Sequence, residues 1–589
     1  NTSCNAATIA GGSSNTILAD CSFIGGGRLN TVSGTGDHAS IAGGTQNTGS
    51  GACSFIGGGC SNYLTGVNSV IGGGDNNTLT DPGNSFLGGG LNNSLNSGGS
   101  RNVLVGGEGN CLTGLNQSAF LGGGKNNYVG GTSGDCYQFL GGGEGNYIPS
   151  SYSSIVGGFV NTASGNYSFI GGGQSNIAEG VHSYAGGLES CTAGAQGFAH
   201  GYQACATGDA SAAFGAVQEA IGANSFIAGG ASNSACAQYS FVGGFNNETT
   251  STAKASSVLG ESNCVNAPWS FAVGSNNCIL GGDITAVAGG NIVGGKVNKV
   301  QGTYSLGNLI MGNDNCIGDG SSSVGGAAAF GGGNCILADG TVAIGINNNN
   351  PVSGQTGYGC NTLLLGCNNQ AHFGKNNIIG GTNSDGYGSN SISFGFGATS
   401  ATGNQQYAFG TGTTNPNNGT TANISNSMVM GSYNVWNITD CHLFAIGDGL
   451  SDGTRTNALN VSSNGRTGLG CTSPQTRLDV NGTTRTTSLI ETSARRYKEN
   501  IVSLQDQLEN IKKLEPVEFE WKETKKKDIG LIAEDVEKIY PQLVEHDDNG
   551  DVMGVKYSKI TSLLVKAIQE QQEQIDQLKI EVKNLKQNK

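Results

Sequence analysis

A short repeat runs through most of the chain and constrains its fold more than any other feature. The motif Ser-apolar-apolar-Gly-Gly recurs, for example at residues 54–58, 69–73 and 85–89. Successive motifs are mostly 14 or 15 residues apart, with steps of 16 to 19 where short insertions occur. Helical repeats need more than about 30 residues, so this unit is too short for a helical hairpin. At about 3.3 Å per residue it fits two short strands and two turns, which predicts a β-solenoid of stacked coils.

The composition of the chain excludes several other classes of protein. Gly supplies 103 of the 589 residues, Pro only 8, and charged residues make up 12%. The glycines have no Gly-X-Y period, so the chain is not a collagen, and the regular apolar residues argue against a disordered linker. No run of 18 apolar residues occurs, so we expect no membrane insertion. The sequence begins at Asn1 rather than at a methionine, which leaves its native start open.

Each part of the repeat has an expected place in a coil. We expect the apolar pair after Ser to fill the core, and Gly-Gly to turn where a side chain would not fit. An Asn follows a few residues later, as at Asn62 and Asn76. We expect a turn there, because Asn tolerates left-handed backbone conformations. A Cys in the second strand, such as Cys111, is expected to be a small core residue. Because one or two large residues per coil make a thin core, we expect chains to lie side by side.

Residue patterns for metal, cofactor or redox chemistry are sparse. All 17 Cys lie at or before Cys471 and none forms a CxxC pair, so we expect buried thiols rather than a zinc site or a disulfide framework. The six His have no ligand spacing, and no glycine-rich string precedes an amphipathic helix. The sequence therefore predicts no cofactor and no metal site.

Charge divides the chain near residue 490. Residues 491–589 carry 17 basic residues (Lys and Arg) and 20 acidic residues (Asp and Glu). Residues 1–490, although about five times as many, carry only 11 basic and 22 acidic residues. The longer part is acidic and has no basic stripe, so nucleic-acid binding is not expected. The shift in composition predicts a domain boundary.

Five segments are predicted along the chain. Residues 1–350 form a repetitive β-roll, 351–450 an irregular β region, 451–490 a β-stalk, 491–560 a small α+β domain, and 561–589 a coiled coil. The irregular region is a candidate receptor-binding face because aromatic rings suit sugar faces, although packing inside irregular coils is the simpler interpretation of these rings. The aromatic residues concerned are Tyr358, Phe394, Phe396, Tyr407, Phe409, Tyr433, Trp436 and Phe444.

The last 99 residues show ordinary secondary-structure signals. Ser503 and Asp506 are expected to cap a helix that Pro516 ends. The final helix starts near Ser558, and its seam positions, which are apolar except for Gln571, alternate steps of four and three, which predicts a coiled coil. This pattern does not fix three strands by itself, but the neighbouring β-roll argues for three. The predicted seam contains Leu564, Ile568, Ile575, Leu578, Val582 and Leu585.

Two families share these patterns. The repeat resembles the heads of trimeric bacterial adhesins, whose units of similar length form a parallel β-roll in threes. Residues 493–501, 514–521 and 529–536 resemble the endosialidase-type intramolecular chaperone, an auto-processing domain at the C-terminus of phage and other viral fibres. In that family a Ser and a Lys five residues later cleave the chain just before the Ser. The resemblance therefore implies Ser493 and Lys498 as catalytic residues and a cut between Thr492 and Ser493.

The implied chemistry is reasonable but sets a geometric condition. A Ser hydroxyl needs a base to take its proton, and a Lys can serve if burial or nearby cations lower its pKa. An N-to-O acyl shift followed by ester hydrolysis is one route. On a continuous α-helix, residues five apart are about 140° out of phase. Ser493 must therefore precede the helix, or else act with Lys498 of another chain.

Taken together, the sequence predicts a homotrimeric viral fibre or spike on the virion surface. It would bind a host surface receptor, with a glycan as the expected ligand, and would mature by a single self-cleavage rather than turn over a substrate. The alternatives are a non-viral structural appendage or a bacterial surface adhesin, and a fibre that degrades glycans. The last needs paired carboxylates, for which residues 1–490 show no motif.

Overall fold

The computed structural model describes most of the chain. The described residues are 4–115, 117–131, 137–281, 289–302, 305–319, 324–350, 360–372, 374–400, 405–415, 427–432, 442–449 and 457–588. The chain divides into two compact units, Asn1–Gln405 and Gln406–Lys589.

The first unit is a parallel β-solenoid, which confirms the predicted mainly-β fold class. Each coil adds one short strand to each of two parallel ladders, and two long strands, Phe198–Ala206 and Ala212–Ala220, belong to both. The other strands of the first ladder are Thr8–Ile9, Phe23–Ile24, Ser40–Ile41, Phe55–Ile56, Val70–Ile71, Phe86–Leu87, Val103–Leu104, Phe120–Leu121, Phe139–Leu140, Ser154–Ile155, Phe169–Gln174, Tyr184–Leu188, Phe226–Ala231, Phe241–Phe245, Ser257–Glu261, Phe271–Ser275, Ile292–Lys296, Leu309–Asn313, Ala328–Gly332, Val342–Ile346, Leu363–Cys367, Ile378–Thr382 and Ile392–Phe396.

The second ladder runs through the same coils. Its strands pair with neighbours about one repeat away, as Cys264–Val265 does with Cys278–Gly281. They are Thr16–Ile17, Thr31–Val32, Thr48–Gly49, Tyr63–Leu64, Thr78–Leu79, Ser94–Ser97, Cys111–Gly114, Tyr128–Gly131, Tyr147–Ile148, Thr162–Ala163, Ile177–Ala178, Cys191–Thr192, Ser234–Ala235, Glu248–Thr249, Cys264–Val265, Cys278–Gly281, Lys299–Gly302, Cys316–Ile317, Cys335–Ile336, Asn349–Asn350, Gln370–Ala371, Asp385–Gly386 and Thr399–Ser400.

Only one residue of each short strand faces the core. In the strand Phe55–Ile56, the Ile56 side chain is 1% exposed while Phe55 is 41% exposed. The expectation that both apolar residues fill the core is therefore wrong, because successive side chains of a strand point to opposite faces. The same alternation leaves Cys111, Cys264 and similar thiols half-buried rather than fully buried.

A column of buried Asn side chains links the coils. Asn315 donates through Nδ2 to the Asn298 Oδ1 (3.0 Å) and to the Gly331 carbonyl (2.9 Å). Its Oδ1 accepts hydrogen bonds from the backbone N–H (3.1 Å) and Nδ2 (2.8 Å) of Asn334 in the next coil. These Asn residues satisfy buried backbone groups at the turn, which an apolar residue could not do.

Glycine is required where neighbouring coils approach most closely. Gly59 has a φ of +90°, and a Cβ there would lie 2.0 Å from the Gly74 carbonyl oxygen. Both the left-handed backbone and this contact exclude a side chain. The glycine content of the sequence therefore reflects the stacking of the coils.

The second unit begins with parallel strands and ends in a small α+β domain. The parallel strands Gln406–Thr411, Ser427–Ser432 and His442–Asp448 pair in that order, with Thr414–Asn415 also in this sheet. A change to antiparallel pairing follows at Asn457–Ser462. The sheet is completed by Thr467–Leu469 and Leu478–Val480.

The small domain combines helices with antiparallel hairpins, as expected of the predicted α+β domain. Its α-helices are α1 (Leu508–Ile511), α2 (Ala533–Ile539) and α3 (Tyr557–Gln587). The 3₁₀ turns are Arg495–Tyr497 and Pro541–Leu543, and the two antiparallel hairpins join Val517–Glu520 to Lys527–Gly530 and Val544–His546 to Val552–Val555. Its core contains Val536, Tyr540, Leu543, Val544, Ile560 and Leu563.

Helix α3 uses one face for the domain and leaves another open. Ile560, Leu563 and Ala567 are buried against the small domain. The predicted coiled-coil residues Leu564, Ile568, Ile575, Leu578, Val582 and Leu585 are 40–64% exposed. The helix is confirmed, while its pairing with other chains stays a prediction. None of the helices within the described ranges has the length and apolar character needed to cross a membrane.

Candidate processing site

The predicted catalytic pair meets within one chain. The Lys498 Nζ donates a hydrogen bond to the Ser493 Oγ over 2.7 Å. Both side chains are exposed, as is Thr492 on the other side of the predicted cut. The structure therefore brings together the two side chains that the resemblance implies.

The local backbone explains how residues five apart can touch. Ala494 is extended, with φ −66° and ψ 141°, and Lys498 is extended again after the single 3₁₀ turn Arg495–Tyr497. Ser493 thus lies before the turn rather than on a continuous α-helix. Of the two arrangements that the five-residue spacing left open, the structure shows the one with Ser493 ahead of the turn.

Arg496, inside the turn, contacts the aromatic ring next to it in the sequence. The Arg496 guanidinium lies 4.8 Å from the ring centroid of Tyr497, a cation–π contact.

A buried carboxylate supports the segment that follows. Glu570 on α3 accepts hydrogen bonds from the backbone N–H groups of Gln507 (2.7 Å) and Leu508 (2.8 Å), at the start of α1. Although burial opposes ionisation, these backbone donors and the nearby Lys566 lower the pKa of Glu570. The expected cap by Ser503 and Asp506 is wrong, since no side chain of the N-cap residue caps α1. A residue more than sixty positions away supplies the acceptor instead.

An ion pair joins residues on the two sides of the predicted cut. Both terminal nitrogens of the Arg466 guanidinium contact the Asp548 carboxylate, and the Arg466 hydrogen bond lowers the pKa of Asp548. The Asp548 N–H also donates to the Gln475 Oε1 over 3.4 Å. Arg466 and Gln475 precede the Thr492–Ser493 bond, and Asp548 follows it. The two products of a cut there would therefore share polar contacts.

Other chemistry has little support within the described part of the chain. It contains no group of three or more His, Cys, Asp or Glu side chains that could hold a metal ion. Of the candidate receptor-binding aromatics, Phe396 is exposed, while Tyr358, Tyr433 and Trp436 lie outside the described residues.

The C-terminal segment matches a known family. Residues 493–545 match the family model described as chaperone of endosialidase, so this stretch is a domain of that class. The match begins at Ser493, the residue that hydrogen-bonds to Lys498.

Two phage proteins share a short similar stretch with the chain. The chain is 43% identical over 56 residues to the Long tail fiber protein Gp37 of Enterobacteria phage M1, and equally to that of Enterobacteria phage Ox2. The match covers 9% of this chain and 22% of each relative. Both comparisons concern short stretches, and the chain spans about a fifth of the length of these tail fibre relatives.

Sequence reasoning located the dyad but missed the contacts around it. Glu570 lies in a glutamate- and glutamine-rich helix where nothing distinguishes it from its neighbours. Arg466 and Asp548 are 82 residues apart. Contacts at such separations depend on the tertiary fold, so no local pattern could have indicated them.

Proposed function

We propose that the chain is a homotrimeric phage fibre that attaches the virion to a host surface and matures by cutting itself between Thr492 and Ser493. The 2.7 Å contact between Lys498 Nζ and Ser493 Oγ, in a domain of the chaperone-of-endosialidase class, carries the proposal. The fibre would lie on the virion surface and be extracellular when mature.

Cleavage would proceed in two steps. Neutral Lys498 takes the proton of the Ser493 hydroxyl, and the Oγ attacks the carbonyl carbon of Thr492. The C–N bond to Ser493 breaks, the nitrogen takes up a proton and becomes a free amine, and Thr492 is now held as an ester. Water then hydrolyses the ester, giving a Thr492 carboxylate and restoring the Ser493 hydroxyl. Each chain would react once.

Exposed apolar columns support association of chains along the shaft. The outward residue of the first ladder is often aromatic, and the rings stack from coil to coil, as Phe120 and Phe139 do at a centroid distance of 5.3 Å. Monomeric proteins seldom expose apolar patches this extensive. The exposed members of this column include Phe23, Phe55, Phe86, Phe139, Phe169, Phe226, Phe241 and Phe271.

The open face of α3 supports association at the C-terminus. Its seam residues are exposed in the single chain, and a heptad seam is normally buried by partner helices. A shaft of near-identical coils could align with its partners in several registers of similar energy. A C-terminal coiled coil would hold the chains in one register while the strands form. Cleavage afterwards would leave a kinetically trapped fibre.

Attachment to a host receptor rests on the similarity to tail fibres and on the surface of the shaft. Tyr137 and Trp269 are exposed by 58–60%, and Phe396 in the predicted receptor-binding region is 56% exposed. Aromatic rings of this kind can pack against the C–H faces of sugars. A glycan is therefore the proposed receptor class.

Electrophoresis under denaturing conditions tests self-cleavage. The wild-type chain should give two fragments, residues 1–492 and 493–589, and Ser493→Ala should give one full-length band. Lys498→Gln should also remain uncut, and the control Ser503→Ala, a change at another exposed serine, should be cut normally. Two bands from Ser493→Ala would refute the assignment of the nucleophile.

A further inference from the structure

The second ladder carries a column of cysteines that the proposed processing does not use. Cys191 and Cys205 occupy in-register positions on neighbouring coils and form a disulfide. The expectation of thiols without disulfides is wrong at this pair. The cause is the stacking itself, because residues one repeat apart become neighbours at a Cα–Cα distance of 4.5 Å, within the range that a disulfide requires.

Two further pairs lie in the same column. Cys264 is in register with Cys278, and Cys316 is in register with Cys335, in each case on adjacent coils. Lys299 lies between the pairs, since it is in register with Cys278 on one side and Cys316 on the other. The order along the ladder is therefore Cys264, Cys278, Lys299, Cys316 and Cys335.

We propose that Cys264–Cys278 and Cys316–Cys335 are oxidisable pairs that form intrachain disulfides and join neighbouring coils once the fibre reaches an oxidising environment. Their register matches that of the bonded pair Cys191–Cys205, and all six cysteines are on the same ladder. The four thiols are half-buried, so small oxidants can reach them.

The electrostatics of the column indicate which thiol reacts first. A hydrogen bond from the thiol of Cys264 lowers the pKa of Cys278 to about 7. Burial acts in the opposite direction and raises this pKa, while the charge of Lys299 lowers it further. The pKa of Cys316 is lowered to about 7 by Cys335 in the same way, again helped by Lys299 and opposed by burial and by Asp319. The partners Cys264 and Cys335 have raised pKa values. Thiolates are the reactive form.

The reaction balances with a small disulfide, such as oxidised glutathione, as the oxidant. The Cys278 thiolate attacks one sulfur of the reagent and expels a thiolate, leaving a mixed disulfide on Cys278. Cys264 loses its proton to solvent, and its thiolate attacks the Cys278 sulfur and expels the second thiolate. Two protein thiols are oxidised and the reagent disulfide is reduced to two thiols. The Cys316–Cys335 pair would follow the same path, with Cys316 attacking first.

Peptide mapping of the full chain tests the proposal. The purified protein is reduced, exposed to oxidised glutathione, alkylated and digested, and the linked peptides are identified by mass spectrometry. We expect links between Cys264 and Cys278 and between Cys316 and Cys335. Cys111, which is in register with Ser94 and Tyr128, should stay unlinked and serves as the matched control. Alkylated rather than linked cysteines at the two pairs, or links to other coils or other chains, would overturn the proposal.

Three variants sharpen the test. Cys264→Ser should abolish only the first link and leave the Cys316–Cys335 link unchanged. Lys299→Gln should slow formation of both links several-fold at neutral pH, and Lys299→Arg should restore the rate. Equal rates in the Gln and Arg variants would refute the role of Lys299, and loss of both links in Cys264→Ser would refute independent pairs.

Discussion

The column of buried Asn makes a specific prediction about local stability. Asn315→Ala removes two donated and two accepted hydrogen bonds, and one of the accepted bonds comes from the buried Asn334 N–H. A buried N–H left without its acceptor costs about 1–3 kcal/mol, and each other lost bond about 0.5–1.5 kcal/mol. With some relaxation, the free energy of local opening should fall by about 2–5 kcal/mol.

Native-state hydrogen exchange measures this loss where it occurs. Since 1.36 kcal/mol corresponds to a factor of ten, exchange of amides in the coils around residues 313–334 should be about 30- to 5,000-fold faster in Asn315→Ala. Coils far from the substitution should exchange normally, because each coil contacts only its neighbours. The control is Asn313→Ala, since Asn313 is exposed two residues away, and its effect should stay within about 0.5 kcal/mol. Equal exchange in the two variants would refute the structural role of the Asn column.

Three further predictions concern the C-terminal unit. Ile568→Asp with Ile575→Asp should convert the uncut trimer to monomers in analytical ultracentrifugation, because both residues lie in the open seam of α3; an unchanged trimer would contradict the seam. Glu570→Gln should lower the melting temperature of the Ser493→Ala protein at pH 7, and the difference should vanish as pH falls. Because folding lowers the pKa of Glu570, its ionised carboxylate stabilises the fold at pH values above the ordinary pKa of Glu. This stabilisation is lost as the pH falls through the pKa of Glu570 in the folded state. A difference in melting temperature that does not depend on pH would exclude the ionised carboxylate as its cause. Arg466→Ala should weaken retention of the 493–589 fragment after cleavage in size-exclusion chromatography, relative to Arg485→Ala, a substitution at an exposed arginine; equal retention would exclude a role for the ion pair.

The fold class could be predicted because the spacing of the repeated motif can be measured in the sequence and fits only short strands and turns. The direction of individual side chains was harder to assign, as Phe55 shows. A pair of adjacent apolar residues looks like core, yet strand geometry buries only Ile56 and leaves Phe55 outside. The role of Asn was predicted only in part. Asn76 has the expected left-handed backbone, with a φ of 54°, but the buried amides that connect one coil to the next were not foreseen.

The contact between Ser493 and Lys498 could be predicted for a different reason. Ser493 and Lys498 are close in sequence and lie in a motif that resembles a known domain, so their contact needs only one 3₁₀ turn. Glu570 and the pair of Arg466 with Asp548 are brought in by tertiary contacts over 62 to 82 residues. The cysteine pairs differ, because Cys191 and Cys205 are 14 residues apart, so the repeat period itself places them on adjacent coils.

The mass of the uncut protein in solution tests the central claim most directly. Light scattering of the Ser493→Ala chain should give three times the chain mass of 59.5 kDa, and the wild type should remain trimeric after the 493–589 fragment is removed. A folded, uncut chain with the mass of one subunit would contradict the account, because neither the open seam of α3 nor the exposed aromatic column would then have a partner.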